Sequence, residues 1–176
     1  MRLRGRGSER GASAVEFAII ASLLFMILFG TIQFGIAYNR YQGLQAASRE
    51  GARLASVDAT VTDVINRVKQ SVSVIDTTTT DTPGLCITNG SSNGNPTIDN
   101  RLCIAIQYID SSGTAHDVTN NGSNGTTPPC DQAFASNGAN PQIEVVAKYK
   151  MPILIPFVGN NIKPVVTGDA IFRCEK

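Results

Sequence analysis

The stretch Phe17–Ala37 has the sequence FAIIASLLFMILFGTIQFGIA and contains no charged residue. As an α-helix it would be about 32 Å long, which matches the hydrocarbon thickness of a bilayer. A helix that is apolar on every face needs a large protein around it, and 176 residues cannot supply one. The apolar region of a secretory signal peptide is shorter, about 7–15 residues, and is followed by a small-residue cleavage site. Here the run ends in AYNRYQ, so the sequence predicts a membrane-spanning helix.

The charges that flank this apolar run predict its orientation. Four arginines precede the run, against one acidic residue, Glu9: Arg2, Arg4, Arg6 and Arg10. After the run the first basic residues are Arg40 and Arg49. Basic residues are retained on the cytoplasmic side of a membrane helix. The flanks therefore predict a single-pass protein of the inner (cytoplasmic) membrane, with its N-terminus in the cytoplasm and the rest of the chain outside.

All four cysteines follow the apolar run: Cys86, Cys103, Cys130 and Cys174. An even number on one side of a membrane indicates two disulfides in an oxidising compartment, although free thiols in a core are the alternative. Four cysteines allow three pairings, of which we favour Cys86–Cys103 with Cys130–Cys174. No pair has CxxC spacing and the chain has one histidine, so no metal site is predicted.

Composition favours neither an enzyme nor a nucleic-acid-binding protein. The net charge is +1, which gives no electrostatic reason to bind nucleic acid. His116 and Asp117 are neighbours in a polar stretch, where such a pair is typical of the surface. The sequence has no GxSxG motif and no phosphate-binding glycine loop, so we expect no catalytic residues and no cofactor.

The junction RGASAVEF before the apolar run holds one unexpected carboxylate, Glu16. Burying it in a bilayer costs several kcal/mol unless a partner compensates it. In an ordinary anchor Glu16 would lie among the lipid headgroups and favour the N-terminus of the helix by its charge. Here the carboxylate belongs to an ordered series: a basic leader ending in Gly11, then Ala12, then Glu16 and Phe17.

That series resembles the class 3 signal of type IV pilins, and residues 11–56 resemble the TadE-like family. The segment Ala46–Arg53, AASREGAR, and the ending AIFRCE support the resemblance. It implies cleavage after Gly11 by a prepilin peptidase, so that Ala12 becomes the N-terminus. It also implies that Glu16, with Phe17 beside it, pairs with that amino group during assembly of a tight-adherence pilus. The implied partners are the peptidase, other pilin-like subunits, the inner-membrane assembly platform and membrane lipid.

The predicted fold class is α+β, with the long helix extended into a helical stalk and packed on a small antiparallel sheet. The predicted organisation is a leader (1–11), a transmembrane and assembly helix (12–38), a stalk (39–75) and a disulfide-containing head (76–176). We expect a break near 57–60, capped by Asp58 or Thr60, and then an amphipathic helix that buries Val61, Val64, Ile65, Val68 and Val72. Strands are predicted at 85–88, 102–110, 143–149 and 165–174. Loops are predicted over 111–141, and an extended connection or an edge strand at 151–157.

Two other functions stay open at this point. The chain could be a static, membrane-anchored binding module in which Glu16 is incidental, or an enzyme tethered outside the membrane. The resemblance favours a minor pilin-like (pseudopilin) structural subunit that contributes to pilus assembly, surface adhesion or biofilm formation.

Overall fold

The computed structural model describes residues 8–72, 101–118, 126–137, 140–152 and 163–175. These ranges hold seven elements in the order α1 (Ser8–Ala55), α2 (Val61–Ser71), β1 (Leu102–Ile109), β2 (Ala115–Asp117), α3 (Pro129–Asn137), β3 (Gln142–Lys150) and β4 (Val165–Arg173). A long apolar helix with a small antiparallel sheet is a mixed α+β fold, so the predicted fold class is confirmed.

The α1 helix runs unbroken for 48 residues, well beyond the apolar run. It ends at Ala55, close to the predicted break, and Asp58 adopts a left-handed conformation with φ of 60° in the turn that follows. Thr60 is the N-cap of α2, because its hydroxyl accepts a hydrogen bond of 3.2 Å from the Asp63 amide. Of the two cap candidates, Thr60 is therefore the correct one.

The α2 helix packs against the C-terminal part of α1. All five residues of its predicted apolar face are buried: Val61, Val64, Ile65, Val68 and Val72. Gly51 of α1 makes the close approach possible, since a Cβ there would collide with the side chain of Val68 and lie 3.3 Å from Val145. Gly51 thus serves packing between α1, α2 and the sheet.

The sheet has the strand order β2-β1-β3-β4, and every pair is antiparallel. Seven of the eight β1 residues are buried, as expected for a central strand. Leu102 pairs with Tyr149, and Ala147 pairs with Gly168, so β1, β3 and β4 are in continuous register. One face of this sheet shares a single apolar core with α1, α2 and α3.

The prediction of loops across 111–141 is wrong in two places, where the structure has β2 and α3. A tight turn containing Gly113, with φ of 83°, returns the chain so that β2 pairs with β1. The α3 helix begins at Pro129, a residue suited to the first turn, and buries Cys130 and Ala133. Its stability comes from this packing, because a polar nine-residue segment would be a marginal helix by itself.

Two further predicted segments lie wholly or mostly outside the described residues. The strand at 85–88 is one of them. Of the connection at 151–157, only Met151 and Pro152 are described. The Met151 amide donates a hydrogen bond of 3.0 Å to the carbonyl of Pro164, which continues the pairing of β3 and β4 one residue beyond Lys150 and Val165.

Candidate assembly helix and its junction with the head

The N-terminal half of α1 is covered by no other described element. Its apolar side chains are exposed from Val15 to Ile36, and Phe17 and Phe34 are each 72% exposed. By length and composition the helix can cross a membrane, and none of its most apolar window is buried within the chain. One such helix near the N-terminus fits a single-pass membrane protein.

The residues of the predicted processing signal lie on this exposed part of α1. Gly11, Ala12, Glu16 and Phe17 are all helical and exposed. Ala12 and Glu16 are four residues apart and therefore face the same side, about one helical turn from each other. The leader arginines Arg2, Arg4 and Arg6 lie outside the described residues. Cleavage after Gly11 and the pairing role of Glu16 stay predictions.

A row of aromatic rings marks the end of the apolar run. The rings of Phe34 and Tyr38 stack with centroids 6.3 Å apart, and Tyr41 lies 6.5 Å from Tyr38. Both tyrosines are exposed. Gln45 donates a hydrogen bond of 3.4 Å to the Tyr41 hydroxyl. Tyrosines are common where a membrane helix leaves the hydrocarbon, because the ring is apolar and the hydroxyl is polar.

Arg40 joins α1 to the sheet immediately beyond the apolar run. Its Nη1 donates a hydrogen bond of 3.3 Å to the Tyr149 hydroxyl. Its guanidinium carbon lies 5.2 Å from the centroid of the same ring, within the range of a cation–π interaction. The two residues are 109 positions apart in the chain. No sequence motif links them, so sequence reasoning missed this contact.

An ion-pair cluster joins α1 to α2 on the exposed surface. Glu50 Oε1 lies 3.1 Å from Arg53 Nη2 and 2.9 Å from Arg67 Nη2. Hydrogen bonds from Arg53 and then Arg67 lower the pKa of the Glu50 carboxyl to about 2. The Arg53 spacing is visible in the sequence as an i, i+3 pair, whereas Arg67 comes from the second helix.

The α1 residues of these contacts lie in a stretch of the chain that resembles known proteins. The model of the TadE-like protein family matches residues 11–53. The match covers about a quarter of the chain and confirms the resemblance inferred from the sequence over that segment. Comparison with curated proteins and with solved structures returned no match.

The TadE-like segment thus contains the exposed apolar helix and the α1 residues that contact the sheet. Ser48 and Gly51 are both within it, and both contact the sheet directly. Gly168, which contacts Ser48, lies in β4 outside the segment. The family match therefore includes one side of the helix–sheet junction.

Outside the TadE-like segment, a disulfide closes the end of the sheet farthest from the apolar run. Cys130 and Cys174 are joined, with Cα atoms 5.6 Å apart, in the pairing that the sequence favours. The Cys130 sulfur lies 3.2 Å from the carbonyl oxygen of Ala55. Since a disulfide sulfur carries no proton to donate, this is a packing contact. Cys103 is also disulfide-bonded, and Cys86, its predicted partner, lies outside the described residues.

His116 is positioned by Asp110 rather than by its sequence neighbour Asp117. The His116 Nε2 lies 3.0 Å from Asp110 Oδ2, and its ring stacks on Tyr108 at 4.9 Å. Asp110 Oδ1 accepts from the hydroxyl and amide of Ser112 and the amide of Thr114. The Ser112 hydroxyl and then His116 lower the pKa of the Asp110 carboxyl. The cluster organises the β1–β2 turn, and the Asp-x-Ser-x-Thr spacing was the signal that sequence reasoning missed.

The face of the sheet opposite the helices combines a small buried apolar cluster (Cys103, Ala105 and Val146) with polar side chains. Gln107 is fully buried, and its Nε2 donates to the Glu144 carboxylate. Burial raises the pKa of Glu144, and Asp169 raises it further. Burial lowers the pKa of Lys148 on the same face. Within the described residues no group of three or more His, Cys, Asp or Glu side chains is placed to hold a metal ion.

Proposed function

We propose that this chain is a minor pilin-like structural subunit of a tight-adherence type IV pilus. The observation that carries the proposal is the coincidence of two boundaries. The TadE-like match begins at Gly11, where the predicted leader ends, and it covers the whole exposed apolar helix. A pilus-associated, pilin-like protein is what this family match supports.

The exposed helix gives the proposal its physical basis. Apolar surface on this scale is stable only in a bilayer or packed against other helices. A pilin-like subunit uses both environments in turn, the membrane before assembly and the helices of its neighbours afterwards. The described part of the head packs on α1 from Ala37 onward, which leaves most of that surface available in both states.

Glu16 would select the register of assembly. Cleavage after Gly11 would create an amino group at Ala12, about one turn from the Glu16 carboxylate. A carboxylate moved into an apolar helix bundle is costly unless a positive charge compensates it. The amino terminus of the same or a neighbouring subunit would supply that charge, and a wrong axial register would leave it too far away.

The proposed topology places the N-terminus in the cytoplasm and the head outside. The prepilin peptidase would act on the leader from the cytoplasmic face. Other pilin-like subunits and the assembly platform in the inner membrane would bind the helix. The proposed role is structural, and we expect no catalytic activity.

The first test is the N-terminus of the protein in native membranes and in sheared surface fibres. Intact mass and N-terminal sequencing should give a start at Ala12 when the cognate prepilin peptidase is present and a start at Met1 when it is deleted. A start at Met1 in both strains would reject the pilin-like role and leave a plain membrane anchor.

A second test separates Glu16 from the rest of the helix. Glu16→Ala should reduce piliation strongly while membrane insertion stays normal. Thr31→Ala is the matched control, because the Thr31 hydroxyl only bonds the Leu28 carbonyl of its own helix, at 2.9 Å. Normal piliation of the Glu16→Ala strain would contradict the pairing role.

A further inference from the structure

The last strand of the sheet, β4, is an edge strand nine residues long. Proteins commonly keep such edges short, bulged or covered, because unpaired backbone N–H and C=O groups can bind another strand. β4 contains no proline and pairs with β3 in an unbroken register. Among the described residues no strand lies on its other side. β4 therefore offers an edge to which a further strand can be added.

The hydrogen bonds at the two ends of β4 show which of its backbone groups point outward. The Pro164 carbonyl accepts from the Met151 amide at one end, and the Cys174 amide donates to the Pro141 carbonyl at the other, each over 3.0 Å. Backbone groups alternate in direction along a paired strand, so the even-numbered residues of β4 bond to β3. The outer edge of β4, residues 169–173, then has three residues whose N–H and C=O groups point away from the sheet: Asp169, Ile171 and Arg173.

Two apolar side chains on the outer edge of β4 are accessible to solvent. Ile171 is 50% exposed and Phe172 is 37% exposed. Because they are consecutive in a strand, they lie on opposite faces of the sheet. No other large apolar side chain of the four strands or of α3 is exposed in the part of the chain that the structure describes. A strand added beside β4 would run past both side chains and remove apolar surface from water.

Two opposite charges flank Ile171 on its own face of the sheet. Asp169 and Arg173 are each two residues from Ile171, so the three side chains point the same way, and both charged residues are exposed. Within the described segments neither charge has an ion-pair partner. Opposite charges directly across two strands stabilise their pairing, and like charges destabilise it. An antiparallel neighbour of β4 should therefore carry, in order, an acidic residue, an apolar residue and a basic residue at alternate positions.

Residues 169–173 themselves have this order, but a second copy of β4 does not fit the membrane topology. Gly168 lies beside Leu44 of α1. Farther along, the Glu175 amide donates a hydrogen bond of 3.2 Å to the Ser56 carbonyl, so β4 runs parallel to α1, away from the apolar run. Antiparallel pairing of two β4 strands about a two-fold axis would make the two α1 helices antiparallel. Their apolar runs would then point in opposite directions and could not enter one bilayer from the same side.

We propose that the outer edge of β4 binds an extended segment of a different protein by antiparallel strand addition. The segment places an acidic residue opposite Arg173, an apolar residue opposite Ile171 and a basic residue opposite Asp169. Its backbone bonds to the outward N–H and C=O groups of these three residues, and it runs toward the apolar run of α1. The exclusion of a second copy rests on the proposed membrane role of α1, whereas the binding edge itself does not depend on that role.

Two peptides of identical composition test this edge. Thr-Glu-Val-Val-Thr-Lys-Thr places its glutamate opposite Arg173 and its lysine opposite Asp169 in antiparallel pairing, and Thr-Lys-Val-Val-Thr-Glu-Thr exchanges the two charges. Each is titrated into the full chain in detergent at low salt, and deuterium exchange of single backbone amides is followed by NMR. The first peptide should slow exchange of the amides of Asp169, Ile171 and Arg173. It should bind about 3- to 10-fold more tightly than the second, since two cross-strand charge pairs change sign.

Variants of the chain identify the groups responsible. Asp169→Arg/Arg173→Asp keeps the net charge and the backbone, and should reverse the preference between the two peptides. Ile171→Pro removes an outward amide that the sheet does not use, so it should abolish binding of both peptides with little change in melting temperature. Ala170→Pro is the matched control, because it removes an amide directed at β3 and should lower the melting temperature. If Ile171→Pro also fails to fold, the charge exchange still decides the question.

Each outcome bears on a separate part of the proposal. Absence of protection by both peptides, or equal binding of the two, would overturn it. Tighter binding of the second peptide would indicate a parallel partner strand and contradict the antiparallel assignment. Sedimentation of the wild type in detergent should show a monomer, and a dimer that Asp169→Arg dissociates would show that the edge binds a second copy instead. These readouts are independent of leader cleavage and piliation, so their failure would leave the proposed pilus role standing.

Discussion

The hydroxyl of Ser48 in α1 donates a hydrogen bond of 2.8 Å to the carbonyl of Gly168 in β4, and both groups are buried. A Cβ at Gly168 would lie 2.5 Å from the carbonyl carbon and oxygen of Leu44. The helix and the last strand therefore touch backbone to backbone. This contact, with Arg40–Tyr149 nearer the apolar run, fixes the head to α1 along its axis.

Gly168→Ala should destabilise the protein by about 1–3 kcal/mol, because the added methyl meets backbone that cannot rotate away. Thermal unfolding of the full chain in detergent is the measurement. Gly43→Ala is the control, since nothing lies within 4 Å of a Cβ there and alanine favours a helix over glycine by up to about 1 kcal/mol. Equal melting temperatures for Gly168→Ala and the wild type would contradict the close approach.

Loss of the Cys130–Cys174 disulfide should lower the free energy of unfolding by about 2–5 kcal/mol. The bond closes a loop with a sequence separation of 44 and holds α3 to the end of the sheet. The double variant Cys130→Ala/Cys174→Ala should melt earlier than the wild type under oxidising conditions. The two should converge when both are measured in a reductant that opens every disulfide.

Peptide mapping without reduction should recover a Cys86–Cys103 cross-linked peptide beside the Cys130–Cys174 one. Cys103 is disulfide-bonded, and the chain has four cysteines. Tandem mass spectrometry of a non-reduced digest identifies both links. A peptide joining Cys103 to Cys130 or Cys174 would reject both pairings at once.

Glu50→Gln should make the free energy of unfolding fall less as the pH is lowered into the acid range. The pKa of Glu50 is lowered from 4.5 to about 2 by Arg53 and Arg67. A carboxyl with a depressed folded-state pKa stabilises above its unfolded pKa, and the contribution disappears as pH falls from about 4.5 to about 2. Because the cluster is exposed, the effect should shrink in high salt.

The measurement for Glu50 is the melting temperature of the full chain between pH 7 and pH 2 at two salt concentrations. The control is Glu175→Gln, which changes an exposed glutamate outside the cluster. Its melting temperature should fall with acid pH about as much as that of the wild type. If the melting temperatures of the wild type and Glu50→Gln fall equally between pH 7 and pH 2, the ion pairs between α1 and α2 contribute nothing to stability.

Glu144→Gln should stabilise the protein at neutral pH, whereas Glu50→Gln removes a stabilising carboxylate. Burial raises the pKa of Glu144, with Asp169 adding to the rise and Lys148 opposing it. A carboxyl with a raised folded-state pKa costs stability as pH rises from its unfolded pKa through its folded pKa. Glutamine removes that cost and keeps an oxygen to accept from Gln107.

The difference between Glu144→Gln and the wild type should therefore be largest near pH 7 and vanish in acid. Melting curves recorded near pH 7 and in acid test this expectation. Asp169→Asn is the companion variant, because Asp169 is exposed on the same face of the sheet. Destabilisation by Glu144→Gln at pH 7 would mean that the charged carboxylate is needed by Gln107 or Lys148.

Local patterns in the sequence were sufficient for the regular elements. The uninterrupted apolar run predicted the exposed N-terminal half of α1, and the helical spacing from Val61 to Val72 predicted the buried face of α2. The apolar stretch after Arg101 predicted β1 as a buried strand. Each of these depends on residues close together in the chain, so periodicity and hydrophobicity determine them. The signal around Gly11 and Glu16 is of the same local kind.

Only the tertiary structure decided which distant residues meet. The polar stretch containing β2 and α3 lacks strong periodicity, and packing of Cys130 and Ala133 against the core made α3 a helix. Arg40 contacts Tyr149, and Ser48 contacts Gly168, although more than a hundred residues separate the members of each pair in the sequence. Such contacts depend on how the elements pack against one another, and the residues adjacent in sequence do not determine that packing.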